Sequence, residues 1–180
     1  MANVVAKFEK VSFEQFSKDW MEKDPTHKYK WTESELRYIY DNIQLPKRST
    51  AGSAGYDFRA PADFTVTNGN AAVIPTGIRC RIENDWFLDI NPRSGQGFKM
   101  GIRLANTRGI IDSDYYGADN EGHIMIKITN ESNIANGSDF SVKEGDAFAQ
   151  GIFTMYGITE DDDATAVRTG GMGSTTKSAT

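Results

Sequence analysis

Apolar residues recur at Phe13, Phe16 and Trp20, spacings of three and four that place them on one helix face, and Ser12 with Gln15 ahead of them has the form of a capping box. The spacing predicts a helix over 12–22, ended by Asp24-Pro25. Thr32 and Glu35 repeat the cap before Leu36, Ile39, Tyr40 and Ile43, which predicts a second helix over 32–43. From Leu45-Pro46 onward the period falls to two. Phe64 to Thr67, Ala72 to Ile74, Ile78 to Ile82, Trp86 to Ile90, Ile124 to Ile128, Phe140 to Val142 and Phe148 to Tyr156 read as short strands. Asn68-Gly69, Pro75, Asn84-Asp85, Asn136-Gly137 and Glu144-Gly145-Asp146 punctuate them as turns. Many short strands after a helical pair imply a mainly β chain of sandwich or jelly-roll type. The last stretch, Thr169 to Thr180, is rich in Gly, Ser and Thr and too poor in apolar side chains to order itself, so a mobile arm is expected.

Length and charge narrow the picture. At 180 residues the chain can bury one sizeable core without staples. Twenty Lys and Arg against 25 Asp and Glu give a formal charge of −5 with no dense basic block, which disfavours nucleic acid as a partner. A polyanionic ligand would have to be met by local Arg, Lys, backbone amides or a metal ion. The single cysteine, Cys80, sits in an alternating run and reads as a packing residue, which excludes a disulfide framework and a thiolate metal cage. The first residues lack the apolar stretch of a signal peptide, and nowhere do about 18 apolar residues run together. A soluble, cytoplasmic protein without a membrane partner is expected.

Five segments are more polar or more glycine-rich than strand packing requires. In AGYDFRA, residues 54–60, Gly55 permits a tight turn and Asp57 stands near a strand start, either as a satisfied turn residue or as a functional one. In PRSGQGFK, residues 92–99, Arg93, Ser94 and Gly95 offer a guanidinium, a hydroxyl and amides, as a phosphate grip or as a surface turn. No GxxxxGK[ST] pattern exists, so a Walker-type loop is excluded. In NTRGIIDSDYYG, residues 106–117, Asp112 follows two isoleucines; a partly desolvated carboxylate there is a candidate general base, although a hairpin with Asp-Ser-Asp at its turn fits equally. In GDAFAQGIF, residues 145–153, Gln150 is the one large polar side chain of a buried strand and needs partners. In RTGGMGSTTK, residues 168–177, glycines and donors form an arm able to wrap phosphates. His27 and His123 lack ligand partners at metal spacing, and the acidic run Glu160 to Asp163 reads as a solvated loop.

In this order, these segments resemble the five sequential motifs of the trimeric dUTPase family over roughly Leu45 to Lys177. The resemblance implies a dUTPase-like jelly roll, a distorted β-barrel, with residues 1–44 as a helical extension packed on the core, 45–166 as the core, and 167–180 as a flexible arm closing the active site. It implies a homotrimer with active sites at subunit interfaces and Mg²⁺-assisted hydrolysis of dUTP to dUMP and pyrophosphate, which limits dUTP and supplies dUMP for dTMP synthesis. Asp112 matches the carboxylate that orients and deprotonates the attacking water. Tyr115 matches the ring that packs on the deoxyribose and excludes a 2′-hydroxyl, and Asn106, with Gly109 and Ile111 in the same segment, falls at the uracil-facing hairpin. Ser94 and Arg93, with Gly95, match phosphate-contacting residues, and Gln150 the amide near phosphates and water. Asp57 matches an aspartate held near the metal's water shell, the Mg²⁺ itself being carried mainly by substrate phosphates. Arg168, Met172, Gly173, Ser174 and Lys177 belong to the arm. Three features depart from the family pattern. Met172 stands where an aromatic residue usually stacks on uracil, which implies weaker substrate binding. The arm is one residue shorter after Arg168 and has Thr176 where glycine is common. Residues Ala118 to Gly122 look like an insertion. Two other readings share the fold: a nucleotide-binding regulatory trimer with a protein partner on the N-terminal helices, and a dCTP deaminase.

Overall fold

A computed structural model describes residues 3–131, 137–168 and 170. Both predicted helices are present. Helix α1, Phe13–Lys23, starts where the Ser12 hydroxyl accepts from the Gln15 amide, and stops where Asp24 turns left-handed and its N–H bonds the Trp20 carbonyl. Asp24 then gathers the following loop, accepting from the amides of Lys28 and Tyr29 and from the Trp31 indole. Helix α2, Glu33–Asn42, opens with a complete Thr32/Glu35 capping box. The alternating segments form strands as read, and a strand begins beside Asp57 at Tyr56–Arg59. The pattern did not suggest β1, Ala6–Lys10, ahead of α1, nor the short strands Lys47–Arg48, Ile102–Leu104 and Gly109–Ile111.

Strands β2 (Lys47–Arg48), β3 (Tyr56–Arg59), β4 (Phe64–Val66), β5 (Ala71–Pro75), β6 (Ile78–Ile82) and β7 (Trp86–Asn91) precede a short helix α3 (Ser94–Met100). Strands β8 (Ile102–Leu104), β9 (Gly109–Ile111), β10 (Met125–Asn130), β11 (Phe140–Val142) and β12 (Ala147–Met155) follow. All pairings are antiparallel, and the largest sheet has the order β2-β3-β12-β7-β9. Smaller sheets pair β5-β10-β8, β11-β4 and β1-β6. The architecture is the expected mainly β arrangement with an N-terminal helical pair.

The extension shares the core of the barrel. Phe16 and Trp20 are fully buried, Leu36 and Ile39 nearly so, in one apolar cluster with Ile74, Ile78, Leu88 and Phe148. Truncating a fully buried Trp or Phe costs about 3–5 kcal/mol, so the helical pair is a large share of the molecule's marginal stability. Cys80 is buried in the same cluster, and burial pushes its thiol up to about 12, in keeping with a packing residue.

Two alternatives left open by the sequence are decided. Residues after Arg93 form a helix instead of an open turn, because Arg93 takes the extended N-cap conformation and its carbonyl receives the amides of Gln96 and Gly97. Asp112 does not sit in a hairpin turn; it precedes a 3₁₀ turn, Ser113–Gly117, as its N-cap, with its carboxylate unspent on capping.

Strand β1 is tied to that 3₁₀ turn through Glu9, whose carboxylate accepts from Lys7 at 2.7 Å and from the Tyr116 hydroxyl at 2.6 Å. These two bonds hold its pKa down, from the ordinary 4.5 to about 2. Folding therefore favours the carboxylate, and this stabilisation is complete above pH 4.5 and lost as pH falls toward about 2. Melting temperatures of the wild type and Glu9→Gln should differ by a constant margin at neutral pH. The margin should shrink through the acid window, and one that grows there would contradict the assignment.

Candidate functional site

The site residues fall into two groups, and the register of the main sheet decides which is which. Gln150 on β12 lies opposite Asp57 of β3 on one side and Asn91 of β7 on the other. Its amide donates to the Pro92 carbonyl at 3.2 Å, so three sequence segments meet at one strand position. Asp57, 7% exposed, accepts from Ser49 at 2.9 Å and lies 3.3 Å from the Arg93 guanidinium. Burying that carboxylate requires such partners. The ion pair holds Arg93 beside exposed Ser94 and Gly95 in the first turn of α3. Gly55 has a steric duty here: a Cβ at that position would stand 2.5 Å from the Gln150 side-chain oxygen. This cluster presents a guanidinium, a hydroxyl, an amide and a carboxylate, the donors and acceptor a phosphate chain with a hydrated cation requires.

The second group is built on β9 and its flanks. Asn106, Gly109 and Ile111 line a cavity of about 280 Å³ together with Ile90, Leu104 and Met125. Its mostly apolar walls with a few backbone and amide groups suit one planar heterocycle. The turn between β8 and β9 that carries Asn106 is braced by Arg108, which grips the buried Asp89 carboxylate of β7 bidentately at 2.6 and 3.1 Å. Sequence reading missed this brace, because Asp89 is hidden in a strand and pairs with a residue 19 positions on. Asp112 follows Ile111 directly. Its carboxylate receives the Arg168 guanidinium at 2.6 Å, and Asp114 receives the same group at 2.9 Å. Arg168 also lies over the Tyr115 ring, 5.7 Å from its centroid, and Tyr115 is 2% exposed. Burial raises the pKa of its hydroxyl. Met172, Gly173, Ser174 and Lys177 lie outside the described residues.

The two groups stand at opposite ends of β7. Leu88 pairs with Ile111 and Ile90 with Gly109, so Asp112 extends past the Leu88 end while Arg93 and Ser94 follow the other end. Counting about 3.3 Å per residue, Asp112 and Arg93 of one chain are roughly 20 Å apart along the strand.

Nearly the whole jelly roll, residues 41–176, matches the dUTPase family model. The deoxyuridine 5′-triphosphate nucleotidohydrolase of Lactococcus lactis is 34% identical over 142 residues, 77% of this chain and 92% of that protein. The crystal structure of the Streptococcus mutans dUTPase superposes with a TM-score of 0.61 at 27% identity, over 85% of this chain and 98% of that one. A variant of the dUTPase from Staphylococcus aureus phage phi11 shares the fold, with a TM-score of 0.57 at 22% identity, over 72% and 95% of the two chains. A jelly roll with a phosphate-type cluster and a base-sized cavity defines the class. The chain belongs to the dUTPase family.

Gly55→Ala is expected to push the Gln150 amide aside and leave the fold intact. The thermal midpoint should fall by no more than a few degrees, corresponding to about 1 kcal/mol, because a side chain and not backbone must yield. The side-chain amide resonance of Gln150 should shift in a ¹⁵N spectrum, and an unmoved signal would show that Gly55 has no such duty.

Proposed function

We propose that the chain is a homotrimeric dUTP diphosphatase that converts dUTP and water to dUMP and pyrophosphate. The observation that carries the reading is the separation of Asp112 from Arg93 and Ser94 along β7. A general base must come within hydrogen-bond reach of the attacking water, which in turn lies against the phosphorus being attacked. Groups roughly 20 Å apart in one chain cannot meet on one phosphate, so the base of one copy must work with the phosphate cluster of another. Family membership and a base-sized cavity supply the substrate class.

In this reading the uracil enters the cavity edged by Asn106, Gly109 and Ile111, and the deoxyribose lies on Tyr115, whose ring leaves no room for a 2′-hydroxyl. Arg93, Ser94, Gly95 and Gln150 of another copy bind the triphosphate. Asp112 orients a water and takes its proton as the water oxygen bonds to the α-phosphorus and the bond to the bridging oxygen breaks, with pyrophosphate leaving. Arg168 keeps Asp112 and Asp114 from repelling the incoming polyanion, and the arm beyond it, Met172 to Ser174, closes over the nucleotide. Among the described residues no three carboxylate, histidine or cysteine side chains converge on a metal position, and both Asp57 oxygens already have partners. Such a donor set fits a Mg²⁺ carried by the triphosphate, with Asp57 reaching its water shell; bound there it neutralises phosphate charge. The phage phi11 dUTPase is described with a coordinated structural Mg(II) ion. Among the described residues no helix is long and apolar enough to cross a membrane.

Asp112→Asn should lower kcat for dUTP by about 10²- to 10⁴-fold with little change in nucleotide affinity, and retained turnover would remove Asp112 from the mechanism. Mixing decides the shared site. Asp112→Asn and Arg93→Ala/Ser94→Ala chains, each nearly silent alone, should regain turnover once co-refolded, because some interfaces then pair an intact base with an intact phosphate cluster. No recovery in verified mixed trimers would place both groups in one chain's site.

A further inference from the structure

The Tyr115 ring is fixed by its hydroxyl, and that hydroxyl is not held by the barrel. It donates to the His123 carbonyl at 2.9 Å and accepts from the Asn120 amide at 2.9 Å. Both partners lie in the bend that follows the 3₁₀ turn. The chain reverses there through Glu121 at φ 57° and Gly122 at φ 69°. It passes so close beneath the turn that a Cβ on Gly122 would stand 2.7 Å from the Tyr115 carbonyl oxygen. A left-handed Glu is uncommon and persists only where its surroundings hold it.

What holds it is helix α1. The Glu121 carboxylate accepts from the Ser12 amide at 2.7 Å and from the Ser12 hydroxyl at 2.6 Å, spanning 109 positions of sequence to reach the N-cap of α1. One step further, His123 is fully buried. Its Nε2 accepts from the Gly77 amide at 2.8 Å, so the proton resides on Nδ1, which donates to Asp19 of α1 at 2.6 Å. Asp19 is kept in place by Gln15, one turn earlier on the helix. The bend is thus gripped at Glu121 and His123 by α1, and between and beside those grips it holds the Tyr115 hydroxyl.

We infer that α1 and the Asn120–His123 bend act as a positioning unit for Tyr115, and that Asn120, Glu121 and His123 thereby set how strictly the site rejects ribose. The inference rests on the reading of Tyr115 as the face that meets the sugar. A ring clamped at its hydroxyl cannot retreat to admit a 2′-hydroxyl, whereas a ring free to tilt can. The loss appears in sugar discrimination first, because Asp112 is placed by β9 and not by this bend.

The test compares kcat/KM for dUTP and UTP in the full chain, its Asn120→Ala, Glu121→Gln and Tyr115→Phe variants, and the Asn120→Ala/Tyr115→Phe double variant. Each single change should lower the dUTP/UTP ratio about three- to tenfold, the worth of one hydrogen bond, mainly by raising turnover of UTP. The double variant should lose no more than the larger single loss, because both changes remove the same bond. Asn120→Ala removes no hydrogen bond to α1 and no apolar core side chain, and guards against a variant that merely unfolds. A merely structural role would lower the melting temperature and leave the ratio unchanged, which would overturn the inference while the diphosphatase activity stands. A wild-type chain silent on dUTP would instead overturn the function, and this inference with it.

Discussion

The antiparallel pairing of β7 with β12 on one edge and β9 on the other is the constraint on which the site depends. Pairing with β12 brings Gln150 and Asp57 level with Asn91, just before Arg93 and Ser94. Pairing with β9 runs the chain back along the same strand and delivers Asp112 at the far end. Antiparallel neighbours exchange direction at every step, so segments that follow one another in sequence are carried to opposite ends of the sheet. In the proposed reading, a chain built this way carries the halves of a site and joins them by association. A closed symmetric assembly is the ordinary way to bring such halves together.

Electrostatics follow from the same division. The chain carries a net charge of −5, and its proposed substrate is a polyanion. Two ion pairs supply local positive charge: Arg93 is held beside Ser94 by buried Asp57, and Arg168 covers Asp112 and Asp114. A guanidinium oriented by a carboxylate remains able to donate from its free N–H groups, so pairing fixes its direction without spending it. Arg108 works structurally by the same fork geometry, locking the β8–β9 turn beside the cavity to Asp89.

The N-terminal extension takes part in this design as core, not as an appendage. Phe16 and Trp20 join the core on the helix that packs against β5, and Gly77, at φ 70°, leaves room for Ile43, whose Cδ1 would lie 2.2 Å from a Cβ there. The residues 118–122, which looked like an unassigned insertion, find their role in the same place, since Glu121 caps the start of α1. The N-cap of α1 and the bend at Glu121 and His123 are therefore complementary parts of one contact.

The two helices, their caps, the longer core strands and the five segments with chemistry were legible in the sequence, because each is dictated by neighbours within a few positions. Capping needs a side chain three residues away, a strand needs alternation, and a turn needs Asn-Gly or Gly at the bend. Strand β1 escaped notice because its pattern is half charged and it becomes a strand only by pairing with β6, some 70 residues on. His123 looked unpartnered for the same reason: Asp19 is 104 positions away. The sequence by itself determined the helices and the longer strands, and placed residue types suited to phosphate, base and proton chemistry in a few short segments. Tertiary structure alone decided which of them meet. Long-range register and burial are set by the simultaneous packing of the whole core, a condition that no local spacing records.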